Sequence, residues 1–360
     1  MPNELEIQFL NSDFEVINIL DTFNSLIWID RYYSYGDFEL VVNPTNSIWS
    51  DIETTAYFKL NKSDRLMIPE DFLIRTKIED GDELIITGRS LESILDRRII
   101  WTPTTVTGYL QAGIQGLLDS AIISPTISER EISNFQFTSS TDPIVTALLI
   151  DTQFSGENLY EVISTLCISR DIGFRILLTP NGLFDFMLYA GVDRSYDQTT
   201  YPYLVFSPEF DNLLSSDYTE SIKSLKTIVL VAGEKGVGNT RITNAVTVSG
   251  GGGSGLTRRE LYKEANDVSR NTPSGQLTDQ QYLYKLYGKG IEELGKNIIL
   301  KEFDCEVDFT AYSYGVDFFM GDVLQVSDKY GNMAKSRVTE IVFFQDPSGS
   351  KIYPKFVITV

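Results

Sequence analysis

Short runs in which apolar and polar residues alternate, each cut off by turn-forming residues, constrain this chain more than any other feature. Leu5, Ile7 and Phe9 alternate with polar neighbours, Val16 and the run through Ile19 follow the polar turn Asn11-Ser12-Asp13, and residues 38–42 follow Gly36-Asp37. Residues 57–60, 72–74 and 84–87 continue the pattern between Asn, Ser, Asp and Gly punctuation. A period of two buries one face of a pleated strand and wets the other. The first hundred residues therefore read as an all-β unit, an antiparallel sandwich or barrel.

From Ser90 the period changes. Ser90 can cap a short helix with Leu91, Ile94 and Leu95 on one face, and Val106, Leu110, Ile114, Leu117 and Leu118 predict a second. A third is predicted over residues 157–170, with Leu159, Val162, Ile163 and Leu166 inward and Gly173 as a stop. Strands return at 174–178 and 183–189, joined by Asn181-Gly182, which predicts a type I′ hairpin. Residues 98 to about 200 thus form an α+β unit. Strands at 204–206 and 227–231 follow, then the Gly-rich run 249–255, which has no side chain able to pack and reads as a mobile native loop, although an engineered linker would have the same composition. Thr278 and Gln281 make a capping-box pattern for a helix with Tyr282, Leu283, Leu286 and Leu294 on its apolar face. Residues 323–326, 341–344 and 356–360 are strands again. The order implies two β units, each interrupted by an insertion.

The chemistry open to the chain is narrow. It has no histidine, which excludes histidine-based triads, imidazole zinc sites and histidine pH switches. Its two thiols, Cys167 and Cys305, lie far apart with no CxxC pair and read as buried, inert core residues. No catalytic, cofactor or metal residue is predicted. Gly233-Glu234-Lys235-Gly236-Val237-Gly238-Asn239-Thr240 approaches a phosphate-binding loop, but Asn239 stands where the lysine would be and the following residues alternate like a strand, so a hairpin loop is expected. Asp304, Glu306 and Asp308 share one strand face and read as solvated acids. Fifty acids leave room for a glycosidase-type carboxylate pair, and the tyrosines at 32–35 and 282–287 could stack on sugars, although such clusters more often serve as core or subunit contacts. A cell-wall glycan hydrolase or carbohydrate-binding module is accordingly the alternative reading. The acidic, polar first residues lack a secretory n-region and h-region, and no apolar run is long enough to span a membrane, so synthesis in a cytoplasm is expected.

Two runs carry a resemblance: Leu26-Ile27-Trp28-Ile29-Asp30-Arg31-Tyr32-Tyr33-Ser34-Tyr35-Gly36-Asp37-Phe38-Glu39-Leu40, and Gly88-Arg89-Ser90-Leu91-Glu92-Ser93-Ile94-Leu95-Asp96-Arg97-Arg98-Ile99-Ile100-Trp101, most specific as far as Arg98. With Gly191-Val192-Asp193-Arg194-Ser195, Gly255-Leu256-Thr257-Arg258-Arg259-Glu260 and Val316-Asp317-Phe318-Phe319-Met320-Gly321-Asp322 in the same order, the chain resembles the tail-hub proteins of long-tailed phages over nearly its whole length. The resemblance implies a mainly β, baseplate-hub-like fold with α+β insertions: two tube-type β-barrel domains, each interrupted by an insertion domain. The first barrel would be 1–97 plus 203–232, its α+β insertion 98–202, the second barrel 233–254 plus 296–360, and a small helical insertion 255–295. It also implies a non-enzymatic virion protein of the tail tip, assembled in the host cytoplasm as a homotrimer whose six tube domains continue a hexameric tube. Its partners would be a distal tail or tube ring, the tape-measure protein and receptor-binding or fibre proteins. Larger relatives add a peptidoglycan hydrolase or receptor-binding extension, whereas this sequence ends at Val360, so attack on the cell wall is expected to need another polypeptide.

The formal charge of −20 sharpens this expectation. Residues 1–100 hold 19 acids against nine bases, whereas 201–300 hold 11 of each. A carboxylate-lined tube repels phosphate and lets DNA pass without specific binding, whereas lysines would retain it. Glu4, Glu6, Glu39 and Glu83 are the lumen-lining candidates, with ordinary solubility an equal explanation of the same excess. Arg89, Arg97 and Arg98 are candidate subunit contacts, or else pair within the chain with Asp96 or Glu92.

Overall fold

The computed structural model describes residues 5–76, 81–236, 240–272, 275–307, 312–330 and 333–359. The first unit comprises β1 (Ile7–Leu10), β2 (Val16–Leu20), β3 (Ser25–Arg31), β4 (Asp37–Val42), α1 (Asn46–Thr54), β5 (Tyr57–Leu60), β6 (Leu66–Arg75) and β7 (Glu83–Ser90). A 3-10 turn, Leu91–Arg97, leads into the inserted unit: β8 (Thr104–Tyr109), α2 (Leu110–Leu118), β9 (Phe135–Thr138), α3 (Pro143–Thr146), β10 (Leu149–Phe154), α4 (Leu159–Ile168), β11 (Gly173–Leu178) and β12 (Phe184–Tyr189). Then come β13 (Val205–Phe206) and β14 (Leu213–Ser221), followed by a second insertion of β15 (Ile228–Lys235), β16 (Arg241–Thr247), β17 (Glu260–Glu264), β18 (Asn271–Thr272), β19 (Gly275–Gln276) and α5 (Asp279–Gly295). The chain ends in β20 (Leu300–Val307), β21 (Val323–Ser327), β22 (Met333–Asp346) and β23 (Gly349–Ile358).

The mainly β character with several sheets agrees with the sequence, but two separate barrels do not form. One 13-stranded sheet runs β14-β20-β23-β22-β3-β4-β7-β6-β5-β1-β2, with β21 and β13 attached through β22, and no barrel closes among the described residues. The reason lies in β3. A strand has two hydrogen-bonding edges, and β3 gives one to β4 and the other to β22, from Glu340↔Arg31 through Gln345↔Leu26. The two β units therefore share one core, in which Trp28, Phe38 and Phe58 are packed together with Phe206, Phe343 and Phe356.

Residues 204–221 pair with the last sixty residues: β13 lies parallel to β21 and β14 antiparallel to β20. The chain leaves the inserted unit at an Asp193↔Val323 bridge, which delivers Leu204 directly beside β21. Residues 228–295 build their own layer, in which Tyr282, Leu286 and Leu294 of α5 pack on Val229, Val231 and Val246. Two local readings also shift. The predicted helix through Val106 begins only at Leu110, because the β-branched Thr104, Thr105, Val106 and Thr107 form β8, which stays paired with β10 through Gly108, at φ +96°, as far as Tyr109. The hairpin at Asn181-Gly182 is real, but Pro180 fixes a negative φ, so the turn runs from Thr179 to Gly182 with only the glycine left-handed, φ +77°. The phosphate-loop look-alike joins β15 to the antiparallel β16 as a hairpin; its residues 237–239 lie outside the described residues.

Candidate functional site

Two regions stand out, a polar node where the units meet and an acidic face of the sheet. At the node, alternation along β3 turns Leu26, Trp28 and Asp30 to the same buried side, so an acid is carried into the core. Asp30 accepts from Trp28 Nε1 at 3.0 Å and Ser63 Oγ at 2.7 Å. Burial pushes its carboxyl up to about 6 against the pull of Arg65 and these two hydrogen bonds. Arg65 pairs with Glu92, both fully enclosed, and Glu92 also accepts from Ser90 Oγ and from the Ile176 amide at 2.9 Å. These bonds tie β7, the loop before β6 and β11 of the inserted unit to one carboxylate.

Two further clamps fasten the inserted unit to the second β unit. Arg337 on β22 grips Asp171 through Nε at 2.9 Å and Nη2 at 2.6 Å, and Asp171 also accepts from Tyr33 Oη. Asp322 accepts from the Val192 amide at 2.7 Å, Arg194 Nε at 2.8 Å and the Phe319 amide at 3.1 Å. A Cβ at Gly191 would lie 1.8 Å from the Gly321 carbonyl oxygen, so this contact requires glycine. The motifs at 28–38, 191–195 and 316–322 thus converge in space: Gly321 lies under the Tyr32 ring, which also stacks edge-on against Tyr189. Every buried charge here has a partner within the chain, and the arrangement fixes register and orientation rather than presenting a reacting group.

The acidic candidates are partly brought together. Glu39 on β4 and Glu83 on β7 both line a hollow of about 560 Å³ on the face away from the core, and Asp71 of β6 lines it too. Glu6 is exposed but sits beside Asn61, which accepts from its amide, and does not line that hollow; Glu4 lies outside the described residues. Sequence reading missed Asp71, although it is opposite Thr87, itself opposite Glu39. Asp304 and Glu306 lie on β20 opposite Asp217 and Ser215, and Asp308 is outside the described residues.

The arginines separate. Arg89 holds Glu70 through Nε at 2.6 Å and Nη2 at 2.9 Å, reaches Asp96 at 3.1 Å, and is raised above the ordinary arginine range chiefly by the Glu70 hydrogen bond. Arg97, half exposed, stands 3.6 Å from the same Glu70. Arg98 donates to the carbonyls of Arg97 and Arg130, and burial with the nearby Arg130 and Arg97 charges holds it below the usual range. Glu92, considered as a partner for these arginines, is taken by Arg65. Cys167 is enclosed in the core of the inserted unit, where burial drives its thiol well up. Among the described residues no helix is long and apolar enough to cross a membrane.

Residues 6–356 match the family described as Siphovirus ReqiPepy6 Gp37-like protein. No curated protein sequence matches the chain significantly. Among solved structures, the 43 kDa tail protein of prophage MuSo2 from Shewanella oneidensis superposes with a TM-score of 0.57 at 14% identity, covering 99% of this chain and 98% of its own. The tail protein from Neisseria meningitidis MC58 gives 0.54 at 10% identity, covering 99% and 96%. Prophage tail protein gp18 from Listeria monocytogenes EGD-e gives 0.52 at 12%, covering 99% and 94%. At these identities the likeness establishes a shared fold.

Proposed function

Because the chain belongs to the Siphovirus ReqiPepy6 Gp37-like family, we propose that it is a structural, non-enzymatic protein of a phage tail tip. Three copies form a pseudo-six-fold hub ring that continues the tail tube, with the acids on the β4–β7–β6 face turned to the lumen. The observation that carries this reading is the end-to-end match to three tail proteins, joined to a sheet that runs through two β units of one chain. Six such units, two per copy, are what a three-fold protein needs to meet a six-fold tube. The ring's neighbours are a distal tail or tube ring, the tape-measure protein and receptor-binding or fibre proteins, and DNA passes without specific binding. Arg97, half exposed beside the first insertion, is the first retained candidate for a subunit contact; Arg98 is retained too, although it is partly buried and donates to the carbonyls of Arg97 and Arg130, and Arg89 is mostly engaged by Glu70 and Asp96.

The test is the mass of the full chain in solution by light scattering. A trimer, three times 40.6 kDa, that appears as a six-lobed ring with a central hole in negative stain supports the reading. A monomer at every concentration reached, or a trimer without a central hole, refutes it.

A further inference from the structure

The tyrosines of α5 divide between two tasks. Tyr282 is buried, donating to the Val268 carbonyl at 2.9 Å and accepting from the Glu234 amide at 2.9 Å, and belongs to the core of the second insertion. Tyr284 and Tyr287 stay outside that core, 60% and 46% exposed, with their rings inclined by only 20° and their centroids 6.5 Å apart. Both border a hollow of about 350 Å³ where α5 meets β8 and β10 of the first insertion, a size within the ~300–1,000 Å³ of small-molecule sites. Gly288 sets the depth of this contact, since a Cβ there would lie 2.8 Å from the Asp151 carbonyl oxygen.

The polar wall of the hollow holds a carboxylate without a bond. Glu292 lines it at 7% exposure, and among the described residues no hydrogen bond or ion pair reaches its side chain. Burial pushes its carboxyl up against the longer-range pull of Lys289 and Arg170, and Lys289 is itself held by Glu157 at 3.0 Å. The other acid on the wall, Asp151, is engaged by Lys285 at 3.1 Å. Arg170 donates from Nε to the Leu149 carbonyl at 3.4 Å and from Nη1 to Ser169 Oγ at 2.8 Å, which leaves Nη2 to donate elsewhere. A buried acceptor with no donor destabilises a fold, so a ligand that supplies the donor is favoured there.

These walls select a chemistry. An anion would face Glu292 and Asp151, and a cation would face Arg170, whereas a hydroxyl can donate to the carboxylate and accept from the guanidinium. Aromatic ring faces carry partial negative charge and attract the C–H face of a pyranose. We propose that this hollow binds one neutral pyranose unit, stacked on Tyr284 and Tyr287, with Glu292 accepting from its hydroxyls and Arg170 donating to one of them. A glycosidase needs two working carboxylates; Lys285 occupies Asp151, so the site binds a sugar rather than cleaving it.

The site lies within one chain, so its test does not depend on the ring, and its failure leaves the trimeric reading untouched. Saturation-transfer NMR on the full chain, followed by titration, is run with glucose, galactose, mannose, rhamnose and N-acetylglucosamine. At least one is expected to bind with a dissociation constant of about 1 mM or tighter. Tyr287→Ala should weaken that binding at least ten-fold and Glu292→Gln at least five-fold, while Tyr330→Ala, at an exposed tyrosine of a different hollow, should leave it unchanged. Glu292→Gln keeps the shape and removes an unbonded buried charge, so its melting temperature should not fall; a lowered melting temperature would assign Glu292 to the fold and overturn its role as a ligand contact. Absence of binding by all five sugars, or binding indifferent to Tyr287→Ala, overturns the site. Glucose 6-phosphate held more tightly than glucose overturns the neutral class.

Discussion

Glu92 illustrates how much one enclosed carboxylate organises: it accepts from a guanidinium, a hydroxyl and a backbone amide that belong to three separate segments. Glu92→Gln would leave the Arg65 cation buried without its main counter-charge. Removing one partner of such a pair costs about 3–5 kcal/mol, which urea unfolding of the variant should show; a loss below about 1 kcal/mol would mean that Asp30 alone suffices to hold Arg65. Asp30 makes the complementary prediction in pH. Its folded value of about 6 lies above the ordinary 3.8 because burial opposes its charge. The folded state therefore holds this proton more tightly than the unfolded state. The resulting contribution is full below about pH 4 and is lost as pH rises through 6. Asp30→Asn removes that dependence, so its stability relative to wild type should improve by about 2 kcal/mol between pH 4 and pH 7.5. Parallel pH curves for the two proteins would show that Asp30 does not titrate in this range. Glu92 was considered in the sequence only as a partner of Arg89, Arg97 or Arg98, and Asp30, Arg65 and Asp171 were not singled out, because their partners come from segments distant in sequence and nothing local marks them as buried.

The helices show the same division at the level of elements. α5 carries Gly288 and Gly290 in its interior, where glycine costs roughly 1 kcal/mol against alanine. The packing accounts for both: a Cβ at 288 would lie 2.8 Å from the Asp151 carbonyl oxygen, and one at 290 would lie 2.5 Å from a Val246 methyl. Around them Lys285 reaches Asp151 at 3.1 Å and Lys289 reaches Glu157 at 3.0 Å, so α5 is locked to both insertions. Gly290→Ala should therefore destabilise by about 1–3 kcal/mol despite the better helix former. Gly116→Ala on α2, where no atom lies within 4 Å of the added carbon, should instead stabilise by about 0.5–1 kcal/mol. Thermal melts of the two variants read both signs, and a stabilising Gly290→Ala would show that α5 can lift from β16. The capping box of α5 was readable because caps are local chemistry; the Asn158 cap of α4 was not singled out. Helix α1, capped by Thr45, was not, since only Ile52 of its nine residues is buried and its apolar stripe is too thin to register. β8 was misread for a related reason: one buried Val106 at helical spacing from Leu110 mimicked a helix face.

For the whole molecule, the acidity of the first hundred residues was visible by counting, but which acids share a face depended on pairings between β4, β7 and β6 that only the folded sheet reveals. Glu39, Glu83 and Asp71 converge on one hollow while Glu6 does not, so the three make a focused test of the lumen. In a trimer, Glu39→Lys, Asp71→Lys and Glu83→Lys together would replace nine carboxylates around the channel with nine ammonium groups. Phosphate contact releases counterions, and roughly six to ten contacts change affinity by about 10³–10⁵ between 50 and 200 mM salt. The variant should accordingly retain short linear duplex DNA at low salt and release it at high salt, while wild type retains none at either. Added lysines anywhere on a protein attract DNA to some degree, so topology must supply the discrimination. A closed ring admits a linear duplex through its hole but cannot thread a covalently closed circle unless the ring opens. Retention of the linear form with rejection of the closed circle, measured on preassembled trimers, is the outcome expected of a lumen face; equal retention of both would place these acids on the outside of the ring, leaving solubility as the physical account of the acidic excess.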